Sequence, residues 1–191
     1  GPSGHFITGI FGTKYVLETL SKYASPEEVF AIVNSTEFPG WGHMIDRGAT
    51  TVWETWKESD NTYSNCHPMF GSVSEWFYRW LGGIRPVDDE PGFKKFILAP
   101  AIPSGLDYVN CSYHAPQGEI ISNWKKIGLN EVQYRIKIPE GSTALVDLRP
   151  GKVQKVETIK ENKPLKTIVP EGSGSGKFEL SEGEFLISVT F

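Results

Sequence analysis

The amino-acid sequence predicts an α+β protein in two parts, helices over residues 1–86 followed by an antiparallel β-sandwich over residues 87–191. Three observations carry this reading. In the first part apolar residues recur at three- and four-residue spacing, the mark of amphipathic helices. In the second they alternate in short runs separated by turn residues roughly every ten positions, the mark of a sandwich. The tryptophans Trp41, Trp53, Trp56, Trp76 and Trp80 all lie in the first part, and Trp124 alone lies beyond them.

The elements follow in order. Tyr15, Val16, Leu17, Leu20 and Tyr23 form one face of a helix over Gly12–Tyr23. Ser25-Pro26-Glu27-Glu28 opens a second helix, with serine as N-cap, proline in the first turn and acids at the positive end of the dipole. Val29, Phe30, Ile32 and Val33 supply its buried side, and Phe38-Pro39-Gly40 stops it. A third helix is expected over Phe70–Leu81, burying Val73, Trp76, Phe77 and Trp80 and ending at Gly82-Gly83. Between the last two, Gly40–Met69 has no clean period, and its tryptophans argue against disorder. Arg85–Gly92, with two prolines and three consecutive acids, reads as a linker.

Strands are expected at Phe93–Leu98, Tyr108–His114, Ile120–Lys126, Val132–Ile138, Ala144–Leu148, Val153–Lys160, Phe178–Leu180 and Phe185–Phe191. Pro116-Gln117-Gly118, Gly128-Leu129-Asn130, Pro139-Glu140-Gly141 and Arg149-Pro150-Gly151 supply turns. Gly172–Gly176 reads as a flexible hairpin tip rather than a phosphate-binding loop.

Composition narrows the function. With 19 basic and 23 acidic residues the net charge is −4, which gives no reason to expect nucleic acid or an anionic membrane as partner. No apolar run approaches the roughly 18 residues of a spanning helix. No ligand cluster implies a metal or other cofactor. Cys66 and Cys111 allow one disulfide without requiring it. The opening Gly1-Pro2-Ser3-Gly4 lacks a methionine and a signal peptide, so the chain is expected to be a processed, tagged or truncated product.

The chemistry concentrates in Gly48-Ala49-Thr50-Thr51-Val52-Trp53-Glu54-Thr55-Trp56 and in Asn65-Cys66-His67-Pro68-Met69-Phe70-Gly71-Ser72-Val73. Glu54 between Trp53 and Trp56 is either a water-poor carboxylate raised toward general-base duty or a hydrogen-bonded structural group. His67 ahead of a helix start is either a sugar contact or a local cap. A carboxylate, an imidazole and several indoles on adjoining loops suit a sugar site, with aromatic faces against C–H surfaces and polar groups on hydroxyls. Trp41, Trp53 and Trp56 are the candidate aromatic contacts.

These stretches, with Thr8-Gly9-Ile10-Phe11-Gly12-Thr13, Phe38-Pro39-Gly40-Trp41-Gly42 and the run on to Ser74-Glu75-Trp76, resemble the closing part of the (α/α)6 catalytic barrel of bacterial α-L-rhamnosidases, glycoside hydrolase family 78. Pro91-Gly92-Phe93-Lys94-Lys95-Phe96 resembles the entry into that family's C-terminal β-sandwich. The resemblance implies an inverting hydrolase releasing terminal α-L-rhamnose from glycosides or polysaccharides, one carboxyl protonating the leaving oxygen and another activating water. It matches Glu54 to the general base, His67 to a histidine on the sugar, and Trp41 to an aromatic near the pocket. It places the general acid upstream of this chain, so the chain is expected to be a fragment, inactive alone and able to self-associate through an uncovered helical face. A periplasmic or secreted location is expected for the parent. Were the fragment active, Asp46, Glu58 and Asp60 are the next carboxylates to consider. Two other readings stand beside this one: a sandwich that binds carbohydrate, and a sandwich that only buttresses the helices.

Overall fold

The computed structural model describes residues 4–58, 63–161 and 163–191. Its backbone falls into two units, Gly1–Phe77 with Ile102–Gly105, and Tyr78–Ala101 with Leu106–Phe191.

In the first unit helix α1 spans Gly12–Tyr23. Its inward residues are Thr13 and Leu17, and the Thr13 hydroxyl donates to the Gly9 carbonyl at 2.8 Å. Tyr15 and Tyr23, expected on the buried face, are 72% and 86% exposed instead. They lie off the narrow stripe through Thr13 and Leu17 that this unit covers. Helix α2 spans Pro26–Val33 and carries the expected cap in full. The Glu28 N–H donates to Ser25 Oγ at 3.3 Å, and the Ser25 N–H donates to Glu28 Oε2 at 2.9 Å. Those bonds to Ser25, the backbone one foremost, hold the Glu28 carboxyl below its ordinary value.

The aperiodic stretch contains a short helix, α3 (Trp41–Asp46), that the sequence pattern did not announce. It has no side-chain cap, and six residues are too few to show a helical period. Gly42 makes it possible: a Cβ there would lie 2.4 Å from the Ser35 carbonyl oxygen. The single helix expected over Phe70–Leu81 is a composite. A 3-10 turn, Pro68–Gly71, leads into α4 (Ser72–Trp76) and then a π turn, Phe77–Leu81. Pro68, which has no N–H to give, suits the first turn. Trp76 Nε1–H donates to Ser21 Oγ at 2.7 Å, and Lys14 meets Glu75 at 2.7 Å, fastening α4 to α1.

The second unit is a sheet of nine strands: β1 (Ile84–Pro86), β2 (Lys95–Leu98), β3 (Tyr108–Val109), β4 (Ser112–Ala115), β5 (Gly118–Lys126), β6 (Glu131–Asp147), β7 (Lys152–Lys160), β8 (Lys163–Ile168) and β9 (Lys177–Thr190). Their order is β1-β2-β6-β9-β7-β8, with β5 also on β6, and β3 and β4 on β5. All pairings are antiparallel except β2 with β6, which is parallel. Arg85–Gly92 is not a linker. Ile84 pairs with Leu98 and Pro86 with Phe96, so the segment is an edge strand and the loop that returns from it. An edge is where a strand tolerates proline. The Arg85 guanidinium lies 4.4 Å from the centre of the Trp80 ring.

One expected turn is a strand interior: Pro139-Glu140-Gly141 sits inside β6. The strands expected at Phe178–Leu180 and Phe185–Phe191 are one strand, β9, continuous through Ser181–Glu184. Ile138 pairs with Gly183 and Thr143 with Ser181, so residues 139–142 bulge opposite Glu182 alone. The Gly141 N–H is taken by the Glu182 carboxylate at 2.6 Å. Gly172–Gly176 is likewise not a free tip: Ser173–Ser175 is a 3-10 turn with Ser173 buried, and the Gly176 carbonyl accepts from Leu148 N–H at 2.8 Å. Cys66 and Cys111 are both free; burial pushes the Cys111 thiol up to about 11.

The core is built from alternate residues: Ile120 and Trp124 of β5, Val132, Tyr134, Ile136, Ala144 and Val146 of β6, Phe178, Phe185 and Ile187 of β9. Each large apolar side chain buried this way contributes roughly 1.5–3 kcal/mol. Burial pushes the Tyr134 phenol up, keeping it neutral. The largest wholly buried residue, Trp124, donates its indole N–H to the Leu81 carbonyl at 2.9 Å. Trp124→Phe strips that donor, leaves the carbonyl unpaired and opens space. It is expected to cost about 2–4 kcal/mol in urea unfolding followed by circular dichroism.

Candidate active site

The segment bearing Glu54 is pinned at several points along its length. The Glu54 N–H donates to the Ser64 carbonyl at 2.9 Å and the His67 N–H to the Val52 carbonyl at 2.7 Å. The Thr51 hydroxyl donates to the Asn65 carbonyl. Two runs, 51–54 and 64–67, are thereby held side by side, one carrying Glu54 and the other His67. The Glu54 carboxylate joins this frame, its Oε2 accepting the Ser64 N–H at 2.8 Å. Among the described residues Oε1 accepts no hydrogen bond. Glu54 is half-buried rather than sealed between the indoles.

His67 is the N-cap of the Pro68–Gly71 turn, its Nδ1 accepting the Met69 N–H at 3.4 Å. That gives Nδ1 to the backbone, and among the described residues Nε2 makes no hydrogen bond. Both sequence readings of His67 are therefore compatible in one side chain.

Trp41, Trp53 and Trp56 are 8%, 4% and 8% exposed. Trp41 and Trp56 meet edge to face with ring centres 5.1 Å apart. Phe6 stacks on Trp56 at 5.9 Å and meets the Trp41 edge at 5.1 Å, while Phe70 lies 3.9 Å from Trp56. Both indole N–H groups are spent on backbone: Trp41 on the Phe70 carbonyl at 2.9 Å, Trp56 on the Thr8 carbonyl at 2.7 Å. These two rings hold the Glu54 segment from behind. The sequence reading did not assign Phe6 and Phe70 to these rings, or Ser64 to Glu54, because each is distant along the chain from the group it meets.

Of the other carboxylates considered, Asp46 ends α3 and is exposed, Glu58 is exposed, and Asp60 lies outside the described residues. Among the described residues no group of three or more His, Cys, Asp or Glu side chains is placed to hold a metal ion.

The site thus places a carboxylate, with one oxygen bonded among the described residues, beside a run that carries an imidazole. Known proteins resemble both parts of the chain. Residues 2–81 match the bacterial alpha-L-rhamnosidase 6 hairpin glycosidase domain, and residues 83–163 the bacterial alpha-L-rhamnosidase C-terminal domain. The chain belongs to the bacterial α-L-rhamnosidase family. It is 29% identical to an alpha-L-rhamnosidase of Formosa agariphila over 93% of its own length and 20% of that protein's. The structure of alpha-L-rhamnosidase from Dictyoglumus thermophilum superposes on all of it with a TM-score of 0.78 at 29% identity, using 22% of that chain. The Streptomyces avermitilis alpha-L-rhamnosidase, solved in complex with L-rhamnose, shares the fold at a TM-score of 0.80 and 23% identity, over 98% of this chain and 18% of that one. The chain thus spans about a fifth of the length of these relatives.

The anchoring role of Trp56 is testable. Trp56→Phe keeps the ring against Phe6 and Phe70 but abandons the Thr8 carbonyl. An expected loss of about 1–3 kcal/mol is read from the urea midpoint.

Proposed function

We propose that the whole protein hydrolyses terminal α-L-rhamnosides with inversion, and that Glu54 is its general base. The observation that supports this best is the anchoring of Glu54, among the described residues, through Oε2 alone. A water hydrogen-bonded to the open Oε1 gives its proton to the carboxylate as its oxygen attacks the anomeric carbon, and the glycosidic oxygen leaves from the opposite face. Inversion needs a second carboxyl to protonate that oxygen. In this reading the general acid lies on a segment outside these 191 residues, and the chain alone is inactive. His67 contacts the sugar through Nε2. Trp41 and Trp56 act as framework for the base, and Trp53, also buried, adds to it. The substrate is a rhamnose-bearing oligosaccharide or glycoside, and the sandwich serves as a support.

Release of p-nitrophenol from its α-L-rhamnoside tests this in three samples: the full-length parent, the parent with Glu54→Gln, and the 191-residue chain. Glutamine keeps an oxygen for the Ser64 N–H, so the frame survives while the base is lost. Expected are an active parent, a loss of about 100- to 10,000-fold in the variant, and no activity in the chain. Proton NMR of the first product formed should show the β-anomer. Retention, or an active chain, overturns the assignment.

Apolar side chains of the first unit, among them Ile7, Phe11, Tyr15, Tyr23 and Ile45, stand in solvent. Isolated, the chain is expected to self-associate, seen as concentration-dependent sedimentation; a strict monomer argues against an incomplete helical domain.

A further inference from the structure

The outward face of the second unit carries a cleft of about 330 Å³ among Tyr108, Asn110, Asn123, Lys125, Gln133 and Arg135. Strand alternation assembles it. Asn123 of β5 pairs with Arg135 of β6, Lys125 pairs with Gln133, and Tyr108 of β3 lies opposite Lys125. The intervening Trp124, Val132 and Tyr134 are buried in the core. In residues 93–191 the sequence offers only Trp124 and scattered Tyr and Phe, not a planar or cupped set of aromatics. Trp124 is buried, yet with Leu186 it lines this cleft beside the polar side chains and the Tyr108 phenol.

Each lining group has chemistry to spare. The Cys111 N–H occupies Asn123 Oδ1 at 2.9 Å, which orients that amide and leaves its NH2 to donate. Lys125 is exposed and makes no ion pair among the described residues. Arg135 reaches Glu184 only at 3.4 Å, and its buried Nε has no hydrogen-bond partner among the described residues. Such an orphaned donor is unfavourable, and Arg135 lines the cleft as a cation. Tyr108 is 63% exposed and offers a ring face. Amides and a phenol suit sugar hydroxyls and C–H faces, and the two charged side chains of the lining are both cations. The volume lies at the lower end of the roughly 300–1,000 Å³ of small-molecule sites.

We infer that this cleft binds an acidic saccharide unit, one carrying a carboxylate or a sulfate ester, independently of hydrolysis at Glu54. It would seat the sandwich on the charged part of a substrate whose terminal sugar is neutral.

The test is an NMR titration of the ¹⁵N-labelled chain with galacturonate, galactose 6-sulfate or neutral methyl galactoside. The signals followed are the Asn123 and Gln133 amides and the Trp124 indole. Saturable shifts with one or both acidic sugars, with the neutral sugar about tenfold weaker or absent, support the site, and the stronger acid identifies the group. Lys125→Gln and Arg135→Gln should each weaken binding about fivefold, and added salt should weaken it too. Tyr108→Ala, an exposed change, should weaken all three sugars alike. Equal response to neutral and acidic sugars, no shift at these signals, or unchanged binding in the lysine and arginine variants overturns the proposal.

Discussion

The pairing of β6 with β9 is the constraint on which the second unit rests. These are the two longest strands, and every other part of the sheet attaches to one of them: β5 and β2 to β6, and β7, followed by β8, to β9. The ladder survives its bulge because the two halves obey different parities. The inward residues of β6 are even-numbered on both sides of the bulge, Val132 to Ile138 and Ala144 to Val146. Those of β9 switch, from Phe178 and Leu180 to Phe185, Ile187 and Val189. The unequal count across the bulge, residues 139–142 against Glu182, absorbs this switch, so both strands keep their apolar side chains in the core. The bulge also hands β6 from β5 on one side to β2 on the other, and the parallel β2 pairing begins only past it.

The same economy governs the Glu54 segment. It has no regular secondary structure to hold it, so its order comes from cross-run hydrogen bonds in front and an aromatic cluster behind. The indoles of Trp41 and Trp56 do two jobs at once: their faces bury apolar area, and their N–H groups satisfy carbonyls that an irregular backbone would leave unpaired. That is why a tryptophan-rich stretch without period is ordered. The Glu54 carboxylate joins the same frame through one oxygen.

Local signals told most where they were strongest. The capping box at Ser25 and Glu28, helix α1 with its limits, and the alternation of β5 and of the first half of β6 were all legible in the sequence. Pro139-Glu140-Gly141 and Arg85–Gly92 misled because turn-type residues also populate bulges and edge strands, and only the partner strand decides between these uses. Tyr15 and Tyr23 misled because periodicity locates a stripe without saying how wide the covered part is. Glu54 and His67 stood out by residue type and setting, but the Ser64 N–H that fixes Glu54 and the Phe6 and Phe70 rings behind it come from elsewhere in the chain. The cleft beside Tyr108 was invisible for a related reason: strand register alone brings its polar residues together.

Gly141 and Gly183 sit at the bulge with φ values of +71° and +140°, a backbone shape that glycine adopts without strain. Because the alternation on each side of the bulge specifies its own pairing, the two halves of the long ladder are aligned separately. The junction therefore acts as an expansion joint. Lineages can lengthen or shorten the chain at residues 139–142 without sliding either half, and the sandwich can drift in size there while the strands that pack its interior stay in step.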